Sequence, residues 1–438
     1  MRKLIALCFF VAIVSCYGCN AANQPLSENL KTQTSIVNPA HLDFLCQNVK
    51  LLNGKDSVLV HIYCDYPYDK WTEAPGEGIS CIDDVARAGI FYESYYKTTG
   101  NEVYLDRIKR MAEFVLYLHA ENGYFYNFVY EDLSINKDGV TSKAEPNWWT
   151  WRAMCFLGYI YPLMEQKDAA LAERIKTALK LTVATVKKDI KLEGNVETIN
   201  GINVATWLPG NAADQSALIL MALCLYHKNI EQDSALEPMI ARIADGLTIM
   251  QIDDKNAETY GVLYCWENIW HGWGNNQSYA LLMAGKELKN DKYTKSALLE
   301  VNHFQKYLMS VDYLKEFSLK KENGVVSFID SKKYEQIAYA MRPMILSCLE
   351  AYSQTGDKKY ADQAVELAKW FFGSNPAKVQ MYDPKTGIMF DGIDGTDKYN
   401  KNSGAESTIE CLISLQAIEI CPPASAELQK YLNSLGAK

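Results

Sequence analysis

Three carboxylates in this sequence stand where they could do chemistry. Asp83 and Asp84 lie side by side in Cys81-Ile82-Asp83-Asp84, and Glu406 follows Asn402-Ser403-Gly404-Ala405; each group directly precedes a long apolar run. A carboxyl group that keeps its proton can protonate a departing oxygen while a charged partner activates water. On a helix, adjacent Asp83 and Asp84 point about 100° apart, so only one of them can face a common centre squarely. Ser403-Gly404-Ala405-Glu406 also has the S-x-x-E form of a capping box, in which Ser403 bonds the N–H of residue 406 and Glu406 reaches back to Ser403. Glu406 therefore has a structural reading beside the catalytic one.

Aromatic, amide and basic residues accompany these acids. Seven of the nine tryptophans fall in three short segments: Asn147-Trp148-Trp149-Thr150-Trp151, Thr206-Trp207-Leu208, and residues 265–276 with Trp266, Trp270, His271 and Trp273. Arg152, Asp214, Gln215, Asn276, Gln277, Tyr339 and Arg342 occupy matching places at the starts of apolar runs. Indole faces stack on the C–H faces of sugar rings, and amides, carboxylates and guanidinium groups read hydroxyls, so these types together describe a carbohydrate site. Taken singly, a tryptophan is most often core, and an Asp or Asn at a helix start is most often a cap.

These residues need a scaffold that brings distant segments to one place, and a repeat supplies it. Thr98-Thr99-Gly100-Asn101 and Gln354-Thr355-Gly356-Asp357 each precede an amphipathic stretch, with Tyr104, Ile108, Met111 and Val115 matching Tyr360, Ala364, Leu367 and Phe371. The separation corresponds to four units of about 64 residues, the scale of a helical hairpin. Nearly all-round apolar helices are expected to begin near Asp83, Trp149, Asp214, Gln277, Gln336 and Glu406, each followed by a more charged helix near 101–119, 168–190, 233–250, 290–309, 357–372 and 425–435. A further helix is expected near 39–52. Six apolar helices, each sheathed by an amphipathic one, make an all-α (α/α)6 toroid. Segments 123–132, 259–266 and 324–330 alternate aromatic or β-branched residues, predicting short β-hairpins or loops that rim one mouth. Parallel inner helices would gather Asp83, Asp84 and Glu406 at that mouth.

The 438 residues carry a net charge of −9, which disfavours nucleic acid as a partner. Residues 1–22 have the charged start, short apolar run and small residues of an export signal, with Cys16 or Cys19 placed for lipidation; the run is too short to span a bilayer. Residues 23–38 read as a tether and 39–438 as a single domain. The membrane is then a partner only through an N-terminal lipid anchor, and the compartment is the periplasm or envelope of a bacterium. Nine cysteines remain, odd in number and without a CxxC or Cys/His cluster, so no metal and no cofactor are expected. Asp391, Asp394 and Asp397 lack the EF-hand spacing and read as a turn-rich loop.

This pattern resembles the six-hairpin (α/α)6-toroid glycosidase superfamily. More narrowly, Cys81-Ile82-Asp83-Asp84, Phe372-Gly373-Ser374-Asn375-Pro376 and Asn402-Ser403-Gly404-Ala405-Glu406 are similar to motifs of family-nine glycoside hydrolases. The resemblance implies an exported glycoside hydrolase that cleaves a poly- or oligosaccharide with inversion, an Asp as base and Glu406 as acid. Two other readings stay open. A polysaccharide lyase acting on a uronic-acid glycan would use His271, Tyr339 and Arg342; a lipoprotein that binds glycans without cleaving them would need only the tryptophan-rich mouth.

Overall fold

The computed structural model describes residues 35–73 and 76–436, so the expected export signal and its Cys16 and Cys19 lie outside the described residues. From Ile36 onward the chain forms one compact unit. After a short α1 (Ala40–Leu45), helices alternate in two roles along the chain. The first hairpins are α2 (Ile82–Thr99) with α3 (Glu102–Tyr117), α4 (Trp148–Lys167) with α5 (Ala169–Asp189), and α6 (Ala213–Asn229) with α7 (Glu237–Ile249). Next, α8 (Gln277–Glu287) is followed by α9 (Asp291–Leu299) and α10 (Gln305–Ser310). The last two hairpins are α11 (Ala338–Thr355) with α12 (Lys358–Ala368), and α13 (Ala405–Glu419) with α14 (Pro422–Gly436).

Helices α2, α4, α6, α8, α11 and α13 pack each against the next, and α13 packs back on α2 to close the ring; each also packs on its own outer helix. This is the (α/α)6 toroid. The inner helices are buried on almost every side, from Ile82 to Tyr96 in α2 and from Ala405 to Ile418 in α13. Outer helices bury one stripe only, as in α3 with Leu105, Ile108, Met111 and Val115.

The Thr-Gly repeat has a local physical cause. Gly100 and Gly356 adopt φ of 67° and 71°, the left-handed turn that closes α2 and α11. The following Asn101 and Asp357 then cap α3 and α12, accepting from the N–H groups of Val103 and Lys359. One four-residue signature thus ends an inner helix and begins an outer one.

The segments expected as hairpins or loops take both forms, and one expected helix gives way to strands. The helix expected over 39–52 stops at Leu45, and β1 (Cys46–Lys50) pairs antiparallel with β2 (Asp56–Val60). Asn53-Gly54 turns this hairpin, with Gly54 at φ 80°, and outcompetes helix. Segment 123–132 is no hairpin of its own: β4 (Phe128–Val129) pairs with β3 (Ser80–Cys81), just before α2. Segment 259–266 carries only isolated bridges. Segment 324–330 is a true hairpin arm, β9 (Val325–Lys332), beside β8 (Glu316–Glu322), which also pairs with β7 (Ile269–His271). A further hairpin, β5 (Val196–Ile199) with β6 (Ile202–Ala205), is additional. The expected single helix 290–309 is interrupted by a π-turn over Glu300–Phe304, where the buried Glu300 carboxylate accepts from the N–H of Leu263 at 2.9 Å and from Ser278.

Candidate active site

The N-termini of the six inner helices open on one mouth. There Asp83 and Asp84 enter from α2, Arg152 from α4, Asp214 from α6, Tyr339 and Arg342 from α11, and Glu406 from α13. The junction of α2 and α13 is organised by Arg87, one turn beyond Asp83. Its Nη2 lies 2.9 Å from Asp84 Oδ1, and its Nη1 lies 3.1 Å from Glu406 Oε2 and 2.8 Å from Glu410 Oε1. Its Nε donates to the Asp83 carbonyl at 2.9 Å. Asp83 itself pairs with Arg152, whose Nη1 lies 2.7 Å from Oδ1 in an ion pair without hydrogen-bond alignment. Arg152 also donates to the Tyr339 hydroxyl at 2.7 Å, and Arg342 donates to Glu410. The guanidinium groups of Arg87, Arg152 and Arg342 surround the Tyr339 ring at 5.3, 5.3 and 5.5 Å. Tyr339 is thus the hub of the arginines.

The carboxylates differ in environment. Glu406 keeps 46% of its side chain exposed and Asp83 22%, whereas Asp84 keeps 4% and Glu410 none. Burial raises Asp84 to about 6; Arg87 opposes the shift, and the charges of Glu406 and Asp83 add to it. Burial would also raise Glu410, but Arg342 and Arg87 hold it below the usual glutamate value.

The expected capping box does not form. Gly404, not Ser403, is the residue before α13. Ser403 pairs instead with the loop below it, its N–H donating to the Cys64 carbonyl at 2.9 Å and its Oγ accepting from Met389 N–H at 3.2 Å. The start of α13 is held by Asp391, whose Oδ1 accepts from Gly404 N–H at 2.8 Å and from Ser407 Oγ. Asp391, expected in a turn-rich loop, thus anchors the helix that carries Glu406. Burial raises its pKa, the Ser407 and Gly404 hydrogen bonds oppose this, and the charges of Glu406 and Asp65 add to it.

Beside the carboxylates lies a cavity of about 420 Å³, lined by Trp148, Asp214, Gln215, Trp266, Ile269, His271, Trp273 and Glu316. His271 stacks on Trp273 with centroids 4.1 Å apart. Its Nε2 lies 2.9 Å from Asp214 Oδ2 and its Nδ1 2.8 Å from the Trp273 carbonyl, two acceptors that only a doubly protonated ring satisfies. Burial works against that charge, but Cys265 and Asp214 outweigh it and raise His271 to about 10. Arg152 reaches under Trp148, 5.9 Å from its ring, and so joins this cavity to Asp83. A larger, shallow depression of about 740 Å³, over Gly78, Ile79 and Tyr130, contains none of the predicted site residues.

Other predicted contacts are placed elsewhere. Trp149 is buried, with its indole N–H donating to the Phe125 and Lys143 carbonyls. Trp207 packs on the outer helix α7, under the Arg242 guanidinium at 3.7 Å. Trp270 stacks on Phe317 in the core. Asn276 and Gln277 are fully buried; Asn276 donates to the Gly274 carbonyl, and Gln277 donates to the Leu263 and Tyr264 carbonyls and to the Cys265 sulfur. Arg342 and Tyr339 sit below the exposed rim rather than on it. Among the described residues no cluster of His, Cys, Asp or Glu could hold a metal ion.

No family model matches the chain, and no curated protein matches it in sequence. Solved structures match in fold. The D-mannose isomerase structure is 12% identical with a TM-score of 0.58, covering 90% of this chain and 98% of that one. A family 76 glycoside hydrolase from a bovine Bacteroides thetaiotaomicron strain is 12% identical with a TM-score of 0.56, covering 89% and 79%. The cellobiose 2-epimerase of Bacillus thermoamylovorans B4167 is 13% identical with a TM-score of 0.55, covering 86% and 95%. The chain therefore has the fold of the six-hairpin toroids, to which glycosidases and sugar epimerases both belong.

Proposed function

We propose that the protein is an exported glycoside hydrolase that cleaves a poly- or oligosaccharide with inversion. The observation carrying this reading is the placement of Glu406 and the Asp83-Asp84 pair around Arg87, next to a cavity walled by Trp148, Trp266 and Trp273. Glu406, half exposed at the mouth, is the acid that protonates the leaving oxygen. Asp83 is the base, because a base must touch water and Asp83 is far more accessible than Asp84. Asp84 holds Arg87 in position. The cavity tryptophans stack on a sugar ring, while Gln215 and Asp214 meet its hydroxyls. No cofactor enters this chemistry. The N-terminal sequence supports export, with a lipid anchor on Cys16 or Cys19.

A second reading, sugar epimerisation or isomerisation, is favoured by the fold likeness to a cellobiose 2-epimerase and a D-mannose isomerase. Incubation with a panel of polysaccharides and oligosaccharides, followed by product mass, separates the readings. Shorter chains with new reducing ends support hydrolysis. Unchanged mass with a rearranged terminal sugar supports epimerisation, an unsaturated product supports a lyase, and binding without change supports a glycan-binding lipoprotein.

A further inference from the structure

The ring order sets two aromatic surfaces beside inner helices on opposite sides of the mouth. In the sequence α2, α4, α6, α8, α11, α13, helix α6 stands directly across from α13. The tryptophan cavity is built over the starts of α4 and α6. Across the mouth, the loop leading into α13 and the connection between β2 and β3 that hydrogen-bonds to it carry a second aromatic surface. Tyr66 is 61% exposed and meets Tyr68 edge-on at 5.4 Å, and Tyr399 stacks on Phe390 at 5.6 Å. The Lys401 ammonium lies over both Tyr66 and Tyr399, at 5.5 and 5.8 Å.

These rings are fixed to the catalytic end of α13 rather than hung on a free loop. Asn402 accepts from Tyr66 N–H at 3.2 Å and donates to Asp65 at 2.7 Å, while its carbonyl accepts from Asp391 N–H at 2.8 Å. The Tyr68 hydroxyl donates to the Lys401 carbonyl at 2.5 Å. Residues 62 and 64 accept from Ala405 and Ser403, so the platform and Glu406 ride on one hydrogen-bonded unit. The exposed Tyr66 ring and the half-buried Tyr399 ring, beside a lysine and a primary amide, offer stacking faces and donors for hydroxyl groups, the chemistry of a sugar subsite.

We propose that Tyr66, Tyr399, Lys401 and Asn402 form a second sugar-binding subsite, so that the substrate is an oligosaccharide chain crossing the mouth from the tryptophan cavity to this platform. The bond to be broken then lies over Asp83 and Glu406, inside the chain rather than at its end. This rests on the glycoside hydrolase reading, which it sharpens into internal cleavage.

The test is isothermal titration of the Glu406→Gln protein with gluco-, manno- and xylo-oligosaccharides of two to six units. Affinity for at least one series should rise with length beyond two units. A Tyr66→Ala, Tyr399→Ala double variant in that background should bind the longest member about tenfold more weakly, with the disaccharide unaffected and the melting temperature unchanged within a few degrees. Affinity that is flat beyond the disaccharide, a double variant that binds the longest chain as its parent does, or no binding in any series would overturn the subsite. Failure of the hydrolase reading has a different signature: the wild-type protein binds the longer chains and releases no new reducing ends.

Discussion

Asp84 and Glu406, more than 300 residues apart in sequence, accept from the two terminal nitrogens of one guanidinium, at 2.9 and 3.1 Å. Arg87 thereby fixes the spacing between the start of the first inner helix and the start of the last. The carboxylates are one guanidinium apart because the ring closes there.

Among the described residues Glu406 makes one ion pair and caps no helix, and it is half exposed, so its charge contributes little to stability. Glu406→Gln should keep the melting temperature within a few degrees and lower turnover of a good substrate by at least ~100-fold, as loss of a general acid does. Near-wild-type turnover would remove Glu406 from the mechanism and direct attention to Asp391.

Asp84 holds its proton more tightly when folded, with a pKa raised from 3.8 to about 6. The folded state then binds more protons than the unfolded one, so this group's contribution to stability is greatest below pH 4 and falls as pH rises towards 6. The stability difference between wild type and Asp84→Asn should shift by up to about 3 kcal/mol across that window, the wild type losing ground as pH rises. Urea titrations at several pH values measure it; a constant difference would show that Asp84 is charged throughout.

Glu410 behaves oppositely, being fully buried between Arg87 and Arg342 and held below the usual glutamate pKa. Its contribution is present above the unfolded pKa and is lost as pH falls. Glu410→Gln leaves two buried guanidinium groups short of an anion and should cost about 3–5 kcal/mol by chemical denaturation at neutral pH. A loss below about 1 kcal/mol would mean that water or Asp84 already compensates Arg87.

Adjacent Trp148 and Trp149 should separate binding from folding. Trp148 lines the cavity, so Trp148→Ala should weaken oligosaccharide binding about tenfold with little change in melting temperature. Trp149 is buried, so Trp149→Ala should cost about 3–5 kcal/mol of stability. Equal effects on binding and stability in both variants would contradict the placement.

By itself the sequence determined the toroid, because its signals are local. Apolar runs mark helices buried all round, and Thr-Gly followed by Asn or Asp is a helix end joined to a helix start. Five of the six inner helices begin within one residue of the expected place, and Ala338 within two of Gln336. The convergence of Asp83, Asp84 and Glu406 follows from that order alone. Tertiary structure decided what surrounds them. Arg87 and Glu410 stand four residues after Asp83 and Glu406; a charge inside an apolar helix is a signal of buried pairing, but its partners depend on which helices meet at ring closure. Asp391 looks like a turn residue until loop 388–404 folds back against α13. The tryptophans divide between cavity and core because the path of each loop, not the residue type, sets which face of an indole meets solvent.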